Sequence, residues 1–312
     1  MDFIAPITAF ALTVWAVGVV IKRLTLDHPN DRSSHTVPTP RGGGLGVMPV
    51  ILLAWVLFTD YRPWTLLIGS LALMLGSWID DRRGLPALTR LLLQSVVVAV
   101  FTVTLPIEIL PLLIVVWFAL LWFVNLYNFM DGIDGITGVE TVSLCVGITV
   151  ICLISGTAPN LVIPALIIAA AGLGFLVWNW HPAKVFLGDS GSVPLGLLTG
   201  GLLIELAFAG QWQAALILPA YYLADATITL CSRLLNGEKI WQAHRKHFYQ
   251  RATRGGAGPV RVSLIVLTGN LGLTLCACLT AWGHNFLGLS LAAANIFCVL
   301  TVLQRWGKDA PP

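Results

Sequence analysis

Five short polar segments interrupt an otherwise apolar chain, and each carries side chains able to do chemistry. Asp80 and Asp81 are adjacent and are followed by Arg82, Arg83 and Arg90. Neighbours on a helix diverge by about 100 degrees, so two such carboxylates have different jobs, unless they are simply a solvated charge cluster paired with the arginines. The segment NLYNFMDGIDGITG holds Asn125, Asn128, Asp131 and Asp134 with no cation to neutralise them. Oxygen-only groups of this kind suit Mg²⁺ or Mn²⁺ rather than zinc, and a divalent ion would relieve the cost of packing them together. In NWHPAKVFLGDSGS, with Asn179, His181 and Lys184, Asp189 stands among glycine and serine. It reads as a metal ligand with phosphate oxygens beside it, or as a helix cap. Further on, HRKHFYQRATR gathers His244, Arg245, Lys246, His247, Arg251 and Arg254. Two histidines three apart can share a helical face and address one anion, whereas a merely electrostatic segment would lie on lipid head groups. Last, DHPNDRSSHTVPTPRGGGLG sets Arg41 before Gly42, Gly43 and Gly44. Their amides could cradle a phosphate beside the guanidinium, although for the glycines alone an ordinary loop cap that lets helices pack closely is the better reading.

The elements that must position these groups are membrane helices. Apolar side chains make up 57% of the 312 residues and charged ones 11%, which excludes a soluble globular enzyme, a disordered chain and a nucleic-acid binder. Apolar runs at about 3 to 21, 44 to 59, 64 to 79, 91 to 105, 109 to 125, 139 to 155, 160 to 178, 193 to 209, 212 to 231, 262 to 282 and 286 to 304 predict an all-α polytopic bundle of about eleven transmembrane helices. No fixed repeat or linker divides it, so residues 1–312 read as one membrane domain. The first run lacks a basic leader and is followed by Lys22 and Arg23, as in a retained helix rather than a signal peptide. With alternate loops assigned to opposite sides, every one of the 18 lysines and arginines except Arg62 falls on one side. The positive-inside rule makes that side cytoplasmic, with the N-terminus periplasmic and the C-terminus cytoplasmic. All five polar segments then face the cytoplasm, in loops at about 22–43, 80–90, 126–138, 179–192 and 232–261. The six cysteines fall in or beside apolar runs and read as small buried hydrophobes.

Carboxylates for a divalent metal and cations for phosphates, at one membrane face, are the inventory of a phosphoryl-transfer site working on a lipid. A secondary transporter is the competing class, because Glu205 and Asp225 lie inside apolar runs. Transport predicts polar groups near the midplane of several helices, and here nearly all gather at one set of ends.

PTPRGGG, the Asp80 and Asp81 pair, NFMDGIDG, VFLGDSGS and HRKHFYQR occur in an order and spacing by which the chain resembles the polyprenyl-phosphate N-acetylhexosamine-1-phosphate transferases, the superfamily of the phospho-MurNAc-pentapeptide translocase. The eleven-helix count and the HxxH form of the last loop are similar to the branch that initiates O-antigen synthesis. The resemblance implies Mg²⁺-dependent transfer of a sugar 1-phosphate from a UDP-N-acetylamino sugar to undecaprenyl phosphate in the bacterial inner membrane. UMP would be released, and lipopolysaccharide O-antigen or another envelope polysaccharide begun. Peptidoglycan-type phospho-MurNAc-pentapeptide transfer is the alternative, and a homodimer stays open. By the same resemblance Asp80, Asp81, Asp131, Asp134 and Asp189 are catalytic, with Asp189 and Asn128 at the metal. Arg41, Arg90, Asn128, Asn179, His244, Arg245 and His247 bind substrate, Arg90 standing where many relatives carry lysine. Asp80 either removes a residual proton from the acceptor or positions it, and an aspartyl-phosphate intermediate stays open beside direct attack.

Overall fold

A computed structural model describes residues 4–27, 37–239, 242, 244–308 and 310. Residues 28–36 of the first polar loop, with Arg32, lie outside the described residues. Among those described, eleven helices run 15 residues or longer: α1 (Ile4–Val20), α2 (Gly44–Phe58), α3 (Trp64–Arg83), α4 (Ala87–Thr102), α5 (Leu110–Phe129), α6 (Ile136–Ser155), α7 (Val162–Asn179), α8 (Asp189–Leu206), α10 (Ala220–Leu235), α12 (Gly258–Ala281) and α13 (Asn285–Trp306). Between them lie two short helices, α9 (Trp212–Ile217) and α11 (Phe248–Ala252), and a hairpin of β1 (Thr25–Asp27) with β2 (Thr39–Arg41).

Among the described residues seven helical stretches are long and apolar enough to cross a membrane, and α2 and α4 are shorter apolar helices. On α1 and α13 large side chains such as Trp15, Phe286 and Phe297 point outward, a surface that lipid accepts and water does not. By contrast α8 is buried nearly all round, packed against α2, α3, α5 and α6. Small residues permit that central position. A Cβ on Gly200 would come within 2.6 Å of Leu120 on α5, and one on Gly201 within 2.7 Å of Leu66 on α3.

Three expectations need correction. The apolar run at 212 to 231 is broken, because Pro219, which offers no amide hydrogen, separates α9 from α10. Several helices begin earlier than their apolar runs, α6 at Ile136 and α8 at Asp189, since Thr137 and Gly138 in one and Asp189, Ser190, Gly191 and Ser192 in the other lower the hydropathy of their first turns. Cys231 and Cys298 are exposed on helix surfaces, whereas the other four cysteines are buried or nearly so.

Candidate active site

The geometry starts from the glycines after Arg41. The amides of Gly42 and Gly43 both donate to the Phe186 carbonyl, at 3.1 and 2.9 Å, and that of Gly44 to Leu187 at 2.9 Å. Arg41 itself bridges Phe186 in parallel. The three amides are therefore spent on the 186–187 segment and do not form the phosphate cradle expected of them. Their role is to dock the first loop onto the entry to α8, where a Cβ on Gly44 would lie 2.3 Å from the Gly191 backbone. Docking delivers the Arg41 guanidinium to Asp189, with Nη2 2.6 Å from Oδ1. No side chain caps the start of α8. Asp189 thus faces cations rather than its own helix amides, and Arg90 adds a second at 3.7 Å from Oδ2.

Asp80 and Asp81, in the last turn and a half of α3, diverge as their spacing requires. Asp80 accepts the Leu85 amide at 2.6 Å and pairs with Arg90 at 3.2 Å, which holds the turn into α4. Asp81 lies 3.5 Å from Arg41 and accepts the Ser190 amide, so it touches the same junction as Asp189.

The loop between α5 and α6 supplies the next groups. Asn128 donates to Ser192 on α8 at 2.9 Å. Asp131 accepts the Thr137 hydroxyl at 2.7 Å, and burial is the main force that pushes its carboxyl up to about 6. Asp134 accepts the Ala183 amide at 3.0 Å and lies 2.6 Å from the His181 ring, fixing the turn after α7. Asn179 is buried and uses both ends of its amide inside the protein, accepting from Gly135 and donating to Val185.

His247 is also buried, its Nδ1 3.1 Å from the carboxylate of Asp225 on α10. Asp225 in addition accepts the amides of Phe248 and Tyr249 and the hydroxyls of Tyr221 and Thr229. One buried carboxylate therefore anchors the whole start of α11. Beyond it the Tyr249 hydroxyl donates to Phe129 at 2.9 Å, joining this segment to the loop of Asp131. The His244 ring packs on His247 with centroids 4.8 Å apart. Burial first, and then the neighbouring His247, push His244 down to about 4, so it is a neutral group at pH 7 rather than part of a cationic cluster.

Two cavities meet at these residues. A polar cleft of about 580 Å³ is lined by Arg41, Asp131, Asp134, His181 and Gln250 among others. A second cavity of about 520 Å³ lies among α3, α4, α5, α8 and α10, with Asp80 and Arg90 at its polar end and Leu73, Phe118 and Leu230 along it. Asn128 and Asp189 line both, and the whole constellation sits at one end of the bundle. His244, Arg245 and His247 line neither, and contact with the cleft from their segment comes through Gln250. Asp225, Tyr249, Gln250, Thr137 and Ser192 were not singled out as site residues. Only Asp225, an acid inside an apolar run, gave a signal in the sequence.

As a metal site the donor set is hard oxygen, but no three acidic, histidine or cysteine groups close into a ready cage among the described residues.

A family model described as glycosyl transferase family 4 matches residues 63–207, the stretch carrying Asp80, Asp81, Asn128, Asp131 and Asp189. The chain is 26% identical over 281 residues to the probable undecaprenyl-phosphate N-acetylglucosaminyl 1-phosphate transferase of Bacillus subtilis, covering 82% of this chain and 78% of that one. To the decaprenyl-phosphate N-acetylglucosaminephosphotransferase of Mycolicibacterium smegmatis it is 27% identical, over 84% and 76% of the two chains. It is 30% identical to the phospho-N-acetylmuramoyl-pentapeptide-transferase of a Picosynechococcus strain, over 60% and 58%.

Proposed function

We propose that the chain is a member of glycosyl transferase family 4, whose model matches residues 63–207, and that it transfers an N-acetylhexosamine 1-phosphate from a UDP-sugar to undecaprenyl phosphate, releasing UMP. It is a multi-pass membrane enzyme, a polyprenyl-phosphate sugar-phosphate transferase. The observation that carries the reading is the junction at Asp189 and Asn128, shared by a polar cleft sized for a sugar nucleotide and an apolar cavity suited to the first units of a prenyl chain. Relatives named for N-acetylglucosamine 1-phosphate transfer match over more of the chain than the pentapeptide transferase does, which favours N-acetylglucosamine as the sugar. The initiation of an O-antigen or similar envelope polysaccharide is the role we assign. The site lies at the cytoplasmic face of the inner membrane, as the distribution of basic residues supports. Asp225, one of the two acids that suggested transport, is consumed in anchoring α11.

In this reading the acceptor phosphate enters at the polar end of the apolar cavity, where Arg90 offsets its charge. Its oxygen is anionic at neutral pH, so repulsion from the donor diphosphate, rather than a missing base, is the main barrier. Asp189 and Asn128 would hold Mg²⁺, with Asp81 beside them, and the ion supplies neutralisation of the diphosphate. Arg41 faces the same phosphates from the cleft side. Asp80 keeps Arg90 and the α3 to α4 turn in place, and Asp134 shapes the cleft wall through His181. The acceptor oxygen forms its bond to the phosphorus that carries the sugar, and the bond from that phosphorus to the UMP oxygen breaks.

Purified protein with undecaprenyl phosphate, Mg²⁺ and a panel of UDP-sugars, followed by UMP release, tests the proposal. We expect turnover with UDP-N-acetylglucosamine and its loss on chelation. Turnover that survives exhaustive chelation would remove the metal from the account.

A further inference from the structure

Arg41 occupies the ground a divalent ion would need. Its Nη2 lies 2.6 Å from Oδ1 of Asp189 and 3.5 Å from Asp81, while Arg90 stands 3.7 Å from the other Asp189 oxygen. A metal bound at about 2.0–2.1 Å and a guanidinium at hydrogen-bond distance compete for one carboxylate oxygen, and as like charges they repel. The backbone of Arg41 cannot withdraw, because it bridges Phe186 and the next three amides are tied to Phe186 and Leu187. Only the side chain can leave. It is 41% exposed and lines the polar cleft, so a rotamer change takes the guanidinium into that space. In water alone the move strands a charge-assisted hydrogen bond, whereas a diphosphate in the cleft offers the fork two new acceptors.

We propose that Arg41 is a resident counter-ion that Asp189 releases only to an arriving diphosphate, so that the donor and the divalent metal bind as a coupled pair and free metal binds weakly. The proposal rests on the reading of Asp189 as the metal ligand. It assigns Arg41 two partners in succession, first the carboxylate and then the donor phosphates. By linkage, the factor by which donor tightens metal equals the factor by which metal tightens donor.

Binding of Mn²⁺ to the detergent-purified full chain, read by electron paramagnetic resonance without acceptor lipid, tests it. The measurement is made with and without UDP-N-acetylglucosamine and corrected for Mn²⁺ bound by the nucleotide in solution. Wild type should bind free Mn²⁺ weakly and gain roughly tenfold or more on adding donor. Arg41→Gln should bind free Mn²⁺ roughly tenfold tighter than wild type, with the donor-induced gain correspondingly smaller. Arg41→Lys keeps the charge and should keep the weak free-metal affinity, which separates loss of the counter-ion from a disturbed fold. If Arg41→Gln binds free Mn²⁺ no tighter than wild type while wild type with donor does bind it, the counter-ion role is overturned and the metal reading stands. If Asp189→Asn leaves Mn²⁺ binding intact, or nothing binds under any condition, the metal reading falls and this proposal with it.

Discussion

Asp225→Asn is the most informative substitution outside the cavities. The wild-type carboxylate accepts on Oδ1 from His247 at 3.1 Å, Phe248 at 3.0 Å and Thr229 at 3.4 Å, and on Oδ2 from Tyr249 and Tyr221, each at 3.2 Å. An amide turns one oxygen into a donor. In its better orientation the nitrogen replaces Oδ2, where the Tyr221 hydroxyl can rotate to accept but the Tyr249 amide cannot. One buried backbone donor is left facing another donor, at a cost of about 1–3 kcal/mol. Tyr249 is also the residue whose hydroxyl holds Phe129, at the edge of the loop that carries Asp131. A penalty of that size transmitted to the loop lowers kcat/KM by roughly five- to 150-fold. Because Gln250 and the Asp131 loop line the polar cleft, the loss should fall mainly on KM for the UDP-sugar, with KM for the lipid nearly unchanged. Steady-state UMP release with each substrate varied in turn, and a melting curve on the same preparation, make the measurement. Wild-type kcat/KM in a folded Asp225→Asn protein, or a loss confined to the lipid KM, would refute the reasoning.

Asp189→Asn should abolish turnover while leaving the melting temperature close to wild type, whereas Glu205→Gln should keep most activity, because Glu205 lies about 24 Å along α8 and bonds Tyr61 at the far end. Equal losses in the two assays would contradict a site at the Asp189 end. Gly44→Ala drives a methyl into the Gly191 backbone and should cost about 1–3 kcal/mol in thermal or denaturant unfolding, with activity falling as Arg41 is levered from Asp189. An unchanged melting curve would count against that packing. His244 holds its proton less readily than a free histidine, so between its ordinary value and about 4 the unfolded chain binds more protons and this group's contribution to stability is lost as pH falls through that window. Above it His244 is neutral, and the pH profiles of kcat/KM for His244→Gln and wild type should run parallel from about pH 6.5 upward. A wild-type limb near pH 6.5 that the variant lacks would show instead that His244 titrates.

Most of the helices were legible because lipid demands long apolar runs, although among the described residues only seven of the eleven expected spans are long and apolar enough to cross a membrane. Their starts were not, because Asp189 and Thr137 sit in the first turns of α8 and α6, where function replaces hydrophobicity. The broken helix at Pro219 was hidden by apolar residues on both sides. Within the site, residue types and spacing picked out Arg41, Asp80, Asp81, Asn128, Asp131 and Asp189, which the fold gathers around one junction. They did not foretell that the glycine amides pair with Phe186 and Leu187, a contact between segments about 145 residues apart. The histidine segment shows the same limit. Its charge pattern suggested a cluster open to phosphate, and the structure turns His247 inward onto Asp225, a partner 22 residues away that only the turn between α10 and α11 brings within reach.

The central claim is that phosphorus, not the anomeric carbon, is the centre attacked. UDP-N-acetylglucosamine labelled with ³²P at the phosphate bearing the sugar, incubated with undecaprenyl phosphate, Mg²⁺ and the purified protein, tests this most directly. The account predicts that all transferred label appears in the lipid diphosphate sugar, with one unlabelled UMP released for each lipid modified. Label released as UDP, with a lipid carrying the sugar but no ³²P, would contradict it.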